Sequence, residues 1–236
     1  MTDSEPDAIP LSARVVWPWL TIVAVLVSLA GLFVELLGHA IGLPLDEGVV
    51  PYFSLSHEAN VPTYFSAALL AGAAVLSAIA AKAARALRAK HVWNWWLLAG
   101  GFAFMSIDEA IELHEYANFI HARGLLYFSW VIPAGVLVVI LGLGFLRFLG
   151  ALPRGTRVRF VIAGAMYVIG AVGFELPLGL WTERFGNDSL GYALLDWVEE
   201  SLEIAGLLVF LHALIRHLGS MGARVRFVDP ETKRHG

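Results

Sequence analysis

The chain has 236 residues, of which 58% are hydrophobic and only 15% charged, with a mean hydropathy of +0.70. A soluble domain carries about a quarter charged residues, so the composition excludes an ordinary soluble fold and predicts an all-α, polytopic membrane protein. The net charge is −4, nothing in the charge pattern suits nucleic acid, and the lack of cysteine removes disulfides, thiolate zinc sites, iron–sulfur clusters and covalent haem.

Six apolar stretches, 17–41, 62–84, 93–117, 125–148, 158–176 and 194–217, approach or exceed the roughly 20 residues a helix needs to span hydrocarbon. They predict one six-helix transmembrane domain over 17–217 with short loops, flanked by tails at 1–16 and 218–236. The first stretch is longer than the roughly 7–15 residues of a signal-peptide core. It also lacks a convincing cleavage site and carries Glu35 and His39 as an i, i+4 pair, so it reads as a true span. The second follows His57 and Glu58, has Pro62 placed for a first turn, and is smooth with Ala67, Ala71, Ala74 and Ala78.

The third opens on Trp93, Trp95 and Trp96 and closes on the densest acidic run, Asp108-Glu109-Ala110-Ile111-Glu112-Leu113-His114-Glu115. Helical spacing puts Asp108, Glu112 and Glu115 on one face, with Ser106 able to orient a carboxylate. The fourth begins near Trp130. The fifth carries Glu175 and is expected to end or kink at Pro177, freeing the Gly173 carbonyl as an oxygen ligand. Gly164, Gly170 and Gly173 predict close packing there. The sixth sets Asp196, Glu199 or Glu200, and Glu203 along a stripe.

With the amino terminus in the cytoplasm, fourteen of the sixteen Lys and Arg fall on the cytoplasmic side, leaving only Arg123 and Arg184 opposite. The positive-inside rule then places both termini in the cytoplasm of a cell membrane, a bacterial inner membrane, with the acidic face extracytoplasmic. Trp17, Trp19, Trp93, Trp95 and Trp96 fall at the inner interface and Trp181 and Trp197 near the outer one, whereas Trp130 fits it less well.

Fifteen of the twenty carboxylates lie at or near the acidic end. At about 1.5 Å per residue, Asp108 lies roughly 22 Å into its span from Trp93, Glu175 roughly 24 Å beyond Arg159, and Glu203 roughly 20 Å from Arg216. Asp196, Glu199 and Glu200 sit near a helix amino terminus, where the dipole favours them. Glu35, Glu175 and the Asp108–Glu115 run sit near carboxyl ends, where it does not. Intramembrane acids in such number ask for a cation, a proton path or a buried network.

A divalent metal is therefore expected, held by Glu58, Asp108, Glu112, Glu115, Glu175, Glu200 and Glu203 with His57 or His114. Mixed carboxylate and imidazole ligands suit iron, manganese or zinc, with calcium an alternative. Glu112-x-x-Glu115 and Glu200-x-x-Glu203 only loosely echo the Glu-x-x-His of di-metal bundles, and His212 and His217 have the wrong spacing for a zinc hydrolase. If the site is catalytic, Glu109 or Glu115 is the general base, and a lipid, isoprenoid, quinol or periplasmic small molecule the substrate. The alternatives are a cation- or proton-coupled transporter and a structural or assembly subunit docking a membrane protein partner.

Overall fold

The computed structural model describes residues 13–45, 47–113 and 123–222, and among them all regular structure is helical. In chain order the helices are α1 (Ala13–Ile41), the single turn α2 (Val50–Phe53), α3 (Val61–Ala86), α4 (Val92–Ile111), α5 (Val131–Ala151), α6 (Arg154–Val168), α7 (Glu175–Phe185) and α8 (Leu190–Ser220). A 3-10 turn, Gly124–Leu126, precedes α5, and a π-helical stretch, Ile169–Phe174, joins α6 to α7 without a break. Among the described residues four segments are long and apolar enough to cross a membrane: Arg14–Ile41, Val61–Ala86, Val131–Ala151 and the continuous Arg154–Phe185. The other two long helices, α4 and α8, carry the acidic clusters.

Helix starts follow from local chemistry. Asn60 caps α3 by accepting from the Thr63 N–H at 3.1 Å, and a proline occupies the first turn as expected. Ser189 caps α8 through the Tyr192 N–H at 3.3 Å. α4 ends at Glu112, whose backbone is left-handed (φ 56°). The expected i, i+4, i+7 face of Asp108, Glu112 and Glu115 is thus cut at its second member, because Glu112 leaves helical geometry.

Pro177 does not end the fifth segment. A π turn widens the helix and changes its hydrogen-bond register, which lets a proline be accommodated without a break. The helix runs on to Phe185, so Glu175 stands in the middle of a long helical run rather than at its carboxyl end.

α8 is the axis of the bundle, in contact with α1, α3, α6, the π stretch and α7, while α4 packs along α3. Close approach of α3 to its neighbours rests on Ala73, Ala80, Ala81 and Ala84, all at most 1% exposed. Among the three glycines of the fifth segment only Gly170 meets a neighbouring helix: a Cβ there would stand 2.8 Å from Glu203 Cγ and 2.9 Å from the Glu199 carbonyl.

Toward the basic end the core is aromatic. Trp95 meets Phe148 edge-on at 4.9 Å and stacks on His217 at 5.3 Å, and Phe210 packs against Phe160 at 4.6 Å and Phe102 at 4.7 Å. Trp95, expected at the lipid interface, is instead buried core, whereas Trp93 and Trp19 are exposed as anchors should be. Ser106, expected to orient a carboxylate, donates to the Ala67 carbonyl at 2.8 Å and ties α4 to α3.

Candidate functional site: an acid-lined cavity

The acidic ends of α4, α7 and α8 converge on a cavity of about 130 Å³. Its wall carries eight carboxylates: Glu58 from the loop before α3, Asp108 and Glu109 from α4, Glu175 from α7, and Asp196, Glu199, Glu200 and Glu203 from α8. Tyr167, Trp130 and Tyr192 complete the polar lining, and among the described residues no Lys, Arg or His takes part.

Helical periodicity explains the concentration on α8. Asp196, Glu199, Glu200 and Glu203 fall at i, i+3, i+4 and i+7, one stripe of a single helix. On α4 the last full turn carries Asp108 and Glu109 to the same wall. The π stretch brings Glu175 round to them, and Gly170 lets that stretch lie against Glu203.

Two contacts tie the wall together across helices. Trp130 Nε1 donates to Glu175 Oε1 at 3.0 Å, which fixes that carboxylate and ties the start of α5 to α7. Tyr167 pairs with Glu203 through their side chains. Glu199, only 7% exposed, keeps its Oε2 buried without a hydrogen-bond partner, and so does Asp196 with Oδ2. A buried acceptor without a donor is unfavourable by about 1–3 kcal/mol, so these oxygens call for a bound cation or a proton of their own.

A second cavity of about 510 Å³ adjoins the first and shares Tyr192 with it. It is lined by Glu35 and His39 of α1, Leu45, Ser56 and His57, Asn187 and Asp188 of the loop before α8, and Tyr192 and Ala193. Glu35 is 4% exposed, accepts a hydrogen bond from the buried Ser54 hydroxyl, and stands 3.7 Å from His39 Nδ1.

The residues expected as ligands are thus divided. Glu58, Asp108, Glu175, Glu200 and Glu203 line the acid cavity together, and Glu109, expected as a base, lines it with them. His57 faces the second cavity, and Glu112, beyond the end of α4, lines neither. His114 and Glu115 lie outside the described residues. Among the described residues no group of three or more His, Asp or Glu side chains is gathered to hold a metal ion. Asp196 and Glu199, attributable from the sequence to dipole compensation, are instead the two acids with unpartnered oxygens in the wall. Their place on the Glu203 stripe was the signal for them.

Residues 19–218 match the family described as domain of unknown function DUF8692, and the chain belongs to that family. No curated protein and no solved structure matches it.

Proposed function

We propose that this protein is a membrane-embedded cation-binding protein whose site is the acid-lined cavity at the extracytoplasmic side of the bundle. The observation that carries the reading is the buried, unpartnered Oε2 of Glu199 in a wall of eight carboxylates with no basic side chain among the described residues. Two unit charges about 6 Å apart at an effective dielectric near 20 repel by about 3 kcal/mol. Eight such groups around one small space therefore need a counter-charge or bound protons.

Among the described residues the donors at hand are oxygen: carboxylates, with the Tyr167 hydroxyl beside them. With His57 facing the other cavity, that set favours a hard divalent cation, manganese, magnesium or calcium, over zinc or copper. The carboxylates surround the space rather than meeting at a point, as like charges do without a counter-ion. Glu109, in the same wall, is the group placed to take a proton from a water on such a cation, should the site be hydrolytic.

The test is elemental analysis of protein purified in mild detergent without chelator, beside a Glu199→Gln/Glu203→Gln variant. The reading predicts a divalent metal near one equivalent, or restored to it by re-supply, and lost in the variant while helicity persists. Absence of metal after re-supply of manganese, magnesium and calcium overturns it.

A further inference from the structure

The second cavity is a chamber of a different kind. Its volume of about 510 Å³ falls within the roughly 300–1,000 Å³ typical of small-molecule sites. We propose that this chamber is a separate binding site for a small, water-soluble organic cation, an amine carried as its ammonium.

Polarity excludes a hydrocarbon guest. Only Leu45 and Ala193 of the nine lining residues are apolar, and a lipid tail there would strand the rest without hydrogen bonds. Charge sets the sign of the ligand. Glu35 and Asp188 stand in the wall with His39 and His57, no Lys or Arg does among the described residues, and the acid cavity shares Tyr192 with it. An anionic guest would meet a negative potential from both directions.

The contacts are also of the right type. Glu35 is held in place by the Ser54 hydroxyl and by its neighbour His39. The ring of His39 reaches the Asp188 carbonyl at 3.3 Å, closing the chamber between α1 and the loop before α8. His57 stands in the same wall, with its Nδ1 lacking a hydrogen-bond partner. Tyr192 offers an aromatic ring to the same guest.

This site stands independently of metal in the acid cavity, which enters only as a source of negative potential. Binding of 1,4-diaminobutane and of ethanolamine to the full chain in detergent is measured by titration calorimetry, with 1,4-butanediol and succinate as neutral and anionic matches. The amines are expected to saturate one site and the diol and diacid not to bind. Glu35→Gln and Asp188→Asn each weaken the amines at least tenfold. Glu203→Gln leaves amine affinity within threefold while lowering manganese uptake measured on the same sample. If Glu35→Gln does not fold, Asp188→Asn on the exposed loop carries the comparison. Failure of both amines to saturate, or equal binding of the diol, overturns the proposal. So does loss of amine binding in Glu203→Gln but not in Asp188→Asn, which moves the amine to the acid cavity.

Discussion

Glu199 shows how one side chain changes meaning between sequence and structure. In the sequence it lies near the start of a helix, where the dipole suffices to explain a carboxylate. In the bundle it is buried with one oxygen unpartnered and four other acids from α4, α7 and the loop before α3 around the same space. Burial is a property of the neighbours, and no local pattern reports it. Glu199→Gln takes one carboxyl out of a crowded set of acids, so the metal-free variant should be more stable by about 1 kcal/mol. Its affinity for manganese should fall at least tenfold. Melting in detergent with and without manganese reads both effects, and they have opposite signs. A purely structural role would give a loss of stability in both conditions. Asp108, Glu175 and Glu203 were legible as a shared depth, since helical rise alone places them near one level; Glu35, on the same reckoning, lines the second cavity. The separation of His57 from Glu58, adjacent in sequence yet facing different cavities, was not.

At the scale of the elements, long apolar runs and caps are local and could be read directly, which is why α1, α3 and α8 begin and end close to the expected positions. The π stretch could not, since its register shift depends on contacts with α8. Gly170 is where that contact is tightest. Gly170→Ala should lower stability by about 1–3 kcal/mol through overpacking and weaken cation binding by displacing Glu203. Gly164→Ala, with nothing within 4 Å of the added methyl group, should do neither. The loop before α3 depends on Asn60, whose amide donates to the carbonyls of Pro51, Ser54 and His57 at 3.0, 2.6 and 2.7 Å. Asn60→Ala removes these together with the cap and should destabilise by about 2 kcal/mol. Thermal melting checks all three variants.

For the molecule as a whole, the charge asymmetry predicts an orientation that can be tested. The chain has no cysteine, so single substitutions report sidedness without background. Arg88→Cys, after α3, should be reached by a membrane-impermeant maleimide only from the cytoplasmic side, and Asn187→Cys, before α8, only from the other. Labelling of both from one side would refute that orientation. The two halves of the bundle then divide the work. The aromatic core around Trp95, Phe148, Phe160 and Phe210 fastens the basic end, and the acidic end keeps a polar space between α4, α7 and α8. The direct measurement of the central claim is anomalous X-ray scattering at the manganese edge from crystals grown with manganese. A single peak within coordination distance of Glu199 and Glu203 is predicted. A peak elsewhere, or none in crystals with an ordered acidic cavity, would contradict it.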